Sequence, residues 1–117
     1  MVFQHVLAVV PVKDIDASAA WYAAFIGRQA DNNPMPVLVE WQVTDFGWVQ
    51  VTVDEERAGS GMLNFAVDDL ESHIRELADR GIEAGHIVEA NKGVHLSTTA
   101  DPDGNTITLI GGFRVEY

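Results

Sequence analysis

The sequence predicts an α+β protein built from two βαβββ modules, with sheets that form a cleft or open barrel. Two observations carry this reading. A strand–helix–glycine stretch occurs twice, as VVPVKDIDASAAWYAAFIG (9–27) and LNFAVDDLESHIRELADRG (63–81). Each copy is followed by runs that alternate apolar and polar residues between turn sequences, the signature of half-buried strands.

The elements follow in order. MVFQHVLAVVPVKD has no basic residue ahead of its apolar run and no small-residue cleavage pattern, so it reads as a strand and not a signal peptide. In the first helix Ile15, Ala19 and Tyr22 share one face; in the second, Leu70, Ile74 and Leu77 do so at a constant offset. Asp14 and either Asp68 or Asp69 stand at N-cap positions, and Glu71 could complete a capping box with Asp68. Gly27 and Gly81 stand where left-handed C-terminal glycines belong. A weak strand is expected near Arg28–Asp31. VLVEWQV and GWVQVTV then form a hairpin through TDFG. In the second copy EAGHIVE, GVHLSTT and TITLIGG are the strands, joined by ANK and by DPDGN. Neither half can bury a sheet face alone. Residues 1–117 therefore make a single domain, with modules at 1–54 and 62–117 and a linker at 55–61.

Composition narrows the function classes. The chain is 47% hydrophobic with a formal net charge of −11, enough for a core and repulsive to phosphate backbones and anionic membranes. It has no cysteine, hence neither disulfide nor thiolate chemistry, and no apolar run long enough to span a bilayer. A cytoplasmic location is expected. No Gly-x-Ser-x-Gly elbow or phosphate-cradling glycine loop is present.

The duplicated pattern, with VPVKDIDASAAWYAAFIG, FAVDDLESHIRELADRGI and DPDGNTITLI in this order, resembles the vicinal oxygen chelate superfamily over essentially the whole chain. That superfamily includes glyoxalase I, extradiol dioxygenases, and fosfomycin- and bleomycin-resistance proteins. Its metalloenzymes use a His or Gln on the first strand of one module. A His on the first strand of the other module and a Glu just past the DPDG-type turn complete the set, which suits a divalent metal with open positions. Carried across residue by residue, these positions fall on Leu7, Met62 and Thr108. Leucine cannot coordinate, methionine is soft, and a neutral threonine hydroxyl is weak.

The resemblance thus implies the metal-free, bleomycin-resistance-like branch. Its members sequester a drug in a cleft built between subunits, with no metal or other cofactor. The expectation is a homodimer that binds a flat, possibly cationic small molecule without chemistry. Two alternatives stay open: a glyoxalase-like metal-dependent lyase, isomerase or dioxygenase using displaced ligands, and an interaction or regulatory domain with a filled cleft. The non-ligating residues weigh against an enzyme, and no catalytic residue is assigned.

The expected ligand-binding residues are His5, Leu7, Trp41, Trp48, Met62, Asn64 and Thr108. His5 and Leu7 share a strand face, as do Met62 and Asn64. Val39, Trp41 and Val43 share one face of their strand, Glu40 and Gln42 the other, and Trp48, Gln50 and Thr52 share a face of the next. The indoles would stack on a planar ligand. Asn64 and Thr108 would hydrogen-bond it, and Leu7 and Met62 would shape the cleft. For a displaced metal site, a register slip of two would make His5 a donor; a separate two-histidine site would form if His86 and His95 met across an antiparallel pair. Glu40 or Glu89 would have to add a carboxylate. His73 lies beside the apolar stripe of its helix and is expected to pack at the boundary.

Overall fold

Both helices begin and end on local chemistry. In the computed structural model, which describes residues 2–113, α1 spans Ile15–Ile26 and α2 spans Leu70–Asp79. The Asp14 carboxylate accepts from the N–H groups of Asp16 (3.0 Å) and Ala17 (3.3 Å), satisfying donors that the first turn leaves free. At α2 the cap is Asp69, whose carboxylate accepts from the Ser72 N–H at 3.1 Å; the Asp68–Glu71 capping box is not the one formed. Gly27 (φ 95°) and Gly81 (φ 85°) both take the left-handed conformation that ends a helix, which a Cβ would strain. The four final residues assigned to the second module, 114–117, and residue 1 lie outside the described residues.

Among the described residues eight strands form two four-stranded sheets. The first contains β1 (Val6–Val12), β2 (Asn32–Met35), β3 (Leu38–Thr44) and β4 (Gly47–Val53), in the order β1-β4-β3-β2. The second contains β5 (Met62–Val67), β6 (Val88–Glu89), β7 (His95–Ala100) and β8 (Thr106–Gly111), in the order β5-β8-β7-β6. β1–β4 and β5–β8 are parallel and the other pairs antiparallel. The sheets do not close into a barrel. The weak strand expected near Arg28–Asp31 lies further on, at Asn32–Met35. EAGHIVE contributes only Val88–Glu89, because residues 83–85 touch β7 through isolated bonds such as Gly85 N–H to Thr98 O (3.0 Å).

Each sheet buries one face under helices. Val10, Val12, Val39, Trp41, Val49 and Val51 of the first sheet, with Leu63, Ile107 and Leu109 of the second, join Tyr22, Phe25 and Leu77 in one core. α1 touches both sheets: Tyr22 lies against Trp41 (centroids 6.3 Å) and Phe25 against Phe65 (5.7 Å). This explains why α1 is apolar nearly all round, whereas α2 is amphipathic. Arg80, just past α2, donates from Nε to the Ala24 carbonyl and from Nη2 to that of Phe25 (3.2 Å), so the end of one helix supplies donors for the last carbonyls of the other. Gly111 lets α2 approach β8 closely, since an added Cβ would stand 2.9 Å from Leu70 Cβ.

The DPDGN turn ties the halves together. Asp101 and Asn105 are buried polar residues. Asn105 Nδ2 donates to Pro11 O (2.8 Å) and to Asp101 Oδ2 (2.8 Å), while its Oδ1 accepts from the Gly61 N–H (2.7 Å). Tyr22 donates its hydroxyl proton to Asp101 Oδ2 at 2.8 Å, and Asp101 Oδ1 accepts from the N–H groups of Asp103 and Asn105 (both 2.9 Å). Among the described residues no buried side-chain nitrogen or oxygen is left without a partner. A network this complete makes burial of a carboxylate tolerable.

Candidate functional site

The helices cover one face of each sheet, and the opposite faces carry the site positions. On the first sheet, strand registers lay the open-face residues out in rows. Leu7 pairs with Trp48, and Trp48 with Gln42. One row along, Val9 pairs with Gln50, Gln50 with Glu40, and Glu40 with Asn32. His5 lies just before β1 on this face, its ring 6.3 Å from Trp48 in a T-shaped contact and 6.4 Å from Phe46. With Phe3, Gln4, Val6 and Phe46 it also lines an apolar hollow of about 730 Å³.

On the second sheet, Met62 pairs with Thr106, and Asn64 with Thr108. Thr108 in turn pairs with Thr98, and their hydroxyls are 3.2 Å apart. Met62 is 82% exposed and Leu7 47%. His5, Leu7 and Trp48 therefore form one group, and Met62, Asn64 and Thr108 another. Among the described residues no hydrogen bond or ring contact links the two groups.

Trp41 departs from expectation. It is fully buried on the helix side of β3, and its Nε1–H donates to Arg28 O at 2.9 Å. The cause is a register change. Thr44 pairs with Gly47 across the turn, but Gln42 pairs with Trp48 and Trp41 with Val49, so a bulge intervenes. A straight two-residue hairpin would have placed both tryptophans on one face; a one-residue slip moves Trp41 to the other.

The histidine pair also fails to assemble. His86 is exposed and outside any strand, while His95 pairs with Glu89 and shares its face with buried Ser97. His95 Nδ1 lies 3.7 Å from Glu89 Oε1. His73 is half-buried beside Phe25, Phe65 and Val67, as a boundary residue should be.

The metal that the superfamily implies does not fit these residues. The positions expected for its ligands hold Leu7, Met62 and Thr108, and no three His, Cys, Asp or Glu residues gather among the described residues. No step through a metal is derived from this donor set.

Glu40, expected only as a carboxylate for a displaced metal site, lies instead in a hydrogen-bonded strip of the first sheet. Its Oε2 accepts from Gln50 Nε2 (2.7 Å) and its Oε1 from Asn32 Nδ2 (3.2 Å). Parity alone puts Glu40 opposite Trp41 and Gln50 beside Trp48, but the bulge is needed to bring Glu40 and Gln50 onto one face. The strip is anchored at Asp31, whose carboxylate accepts from the Gln42 N–H (2.7 Å) and pairs with Arg28 (2.7 Å). These contacts, the backbone bond first, hold the Asp31 carboxyl below the usual carboxylate range.

Two mixed four-stranded sheets, each a β-α-β-β-β unit, with helices on one face and the other face open, define an α+β fold of the glyoxalase/bleomycin-resistance type. The crystal structure of a glyoxalase/bleomycin resistance protein from Catenulispora acidiphila is similar at TM-score 0.86 and 29% identity, over 92% of this chain and 97% of that one. A bleomycin-binding protein solved with bleomycin has TM-score 0.75 at 20% identity, over 94% and 98% of the two chains. Lactoylglutathione lyase from Agrobacterium tumefaciens has TM-score 0.72 at 19% identity, over 92% of each. The glyoxalase-like domain profile matches residues 7–110; the chain belongs to that family, within the vicinal oxygen chelate superfamily. No curated protein matches the chain. Among the described residues no helix is long and apolar enough to cross a membrane.

Proposed function

We propose that the protein binds a small organic molecule without using a bound metal, as bleomycin-resistance proteins do, and that it works as a homodimer. The observation that carries this is the chemistry at the ligand positions: Leu7, Met62 and Thr108 stand on the open faces where the superfamily's metalloenzymes place strong donors. What those faces offer instead is an indole, apolar side chains, a few hydroxyl and amide groups and the Glu40 carboxylate, which suits a flat ligand held by stacking and shape. Trp48 stacks, Asn64 and Thr108 hydrogen-bond, and His5, Leu7 and Met62 shape the surface.

Exposed apolar side chains support the dimer. Phe3 and Phe46 stand 81% and 69% exposed around one hollow on the first sheet, and Met62 stands 82% exposed on the second. A second copy would cover these side chains and bring residues of module 1–54 opposite those of module 62–117. Under this reading the protein acts in the cytoplasm, and drug tolerance of expressing cells is a consequence to test.

The experiment is elemental analysis of tag-free protein, before and after incubation with Ni, Zn, Mn and Fe(II), followed by fluorescence titration with bleomycin. Metal well below one equivalent, and quenching that disappears in Trp48→Phe, are expected. About one metal per chain, lost in His5→Ala, would move the protein to the enzyme class. Absence of both metal and quenching would favour an interaction domain. Sedimentation velocity at micromolar concentration should give a dimer; a monomer would remove the two-copy cleft.

A further inference from the structure

We propose that Glu40 reads positive charge, fixing the cationic end of a ligand on the open face of the first sheet. This rests on the binding reading above and narrows it to one chemistry: a planar aromatic system carrying an amidinium, guanidinium, iminium or ammonium group. The carboxylate is held from two sides by neutral donors, Gln50 Nε2 at 2.7 Å and Asn32 Nδ2 at 3.2 Å. Amide donors fix its direction without cancelling its charge. Each oxygen takes one of these bonds, and a carboxylate offers about four acceptor positions in all, so capacity remains for a ligand.

No cation among the described residues competes for it. Among the described residues no Lys, Arg or His nitrogen lies within 4.0 Å of Glu40; the ion pairs are Arg28–Asp31, Arg57–Asp54 and His95–Glu89. Arg28, in the loop between α1 and β2, is committed to Asp31 and to the Gln42 carbonyl. The indole of Trp48 stands one row away on the same face, between Leu7 and Gln42. An aromatic cation can thus stack on Trp48 and meet Glu40 at its charged end, the ring face adding its own attraction for positive charge. The formal net charge of −11 draws cations toward the surface from a distance.

The test compares 2-naphthamidine, a flat cation whose N–H groups can donate to a carboxylate, with its uncharged counterpart 2-naphthamide, by calorimetry on the full chain. Wild type should bind the cation about tenfold more tightly, the scale of one partly exposed charge-assisted contact. Glu40→Gln should abolish that preference and leave the neutral probe's affinity unchanged. Added sodium chloride should weaken only the cation in wild type. Glu40→Ala serves as a second variant, with the neutral probe reporting that the face is intact. Equal binding of both probes by wild type, or a preference that survives both substitutions, overturns the Glu40 assignment while leaving the binding face standing. Binding of neither probe overturns both.

Discussion

Asn105→Ala is expected to lower the unfolding free energy by about 3 kcal/mol, and the melting temperature by roughly 10 °C. The side chain is fully buried and makes three hydrogen bonds, to Pro11 O, Asp101 Oδ2 and the Gly61 N–H. Its removal strands a donor at Gly61 and an acceptor at Pro11, each worth about 1–3 kcal/mol when buried without a partner. These groups belong to the end of β1 and the approach to β5, so the loss falls on the seam between the halves. Against a usual total of about 5–15 kcal/mol this is a large fraction. Urea denaturation of Asn105→Ala measures it, with Asn64→Ala as the control. Asn64 is exposed on the open face, so its replacement should move stability by no more than about 0.5 kcal/mol. A cost below about 1 kcal/mol for Asn105→Ala would mean that the turn does not hold the halves together.

That seam was legible in the sequence only as a turn. Asp, Pro, Gly and Asn announce a reversal because their preferences are local. The partners that make DPDGN a clamp, Tyr22, Pro11 and Gly61, lie far away in sequence, and no spacing rule reaches them. The same division runs through the site. Helix caps at Asp14, Gly27 and Gly81 were readable because a cap depends on its own turn. The strand face of Thr108, opposite buried Ile107 and Leu109, was readable because alternation past a fixed turn counts residues reliably. The face of Trp41 was not, since one bulge between Gln42 and Thr44 reverses parity. Likewise, pairing of His86 with His95 depended on a strand that shrank to Val88–Glu89. Glu40 shows the limit most clearly. Its side of β3 follows from parity, but the amides that aim its carboxylate come from two other strands.

Replacing Tyr22 by Phe should change the pH dependence of stability as well as its size. Burial first, then the hydrogen bond from its hydroxyl to Asp101 and the negative charges of Asp101 and Asp103, push the Tyr22 pKa well above the ordinary tyrosine range. In the unfolded chain the phenol titrates near 10. The sign follows directly. Below about pH 10 the phenol is protonated in both states and its contribution is whole. Above that, the unfolded chain gains by losing the proton while the folded one keeps it. Stability therefore falls by about 1.4 kcal/mol per pH unit from this one group. At pH 7 Tyr22→Phe should cost about 2 kcal/mol, the scale of a hydrogen bond to a charged acceptor. Between pH 10 and 11 the gap between the two proteins should then shrink by more than half, because only the wild type carries the slope. Urea denaturation of both at pH 7, 9, 10 and 11 reads this directly. Parallel stability profiles through pH 11 would mean that the phenol ionises as readily in the fold as out of it, and that its bond to Asp101 opens without unfolding the chain.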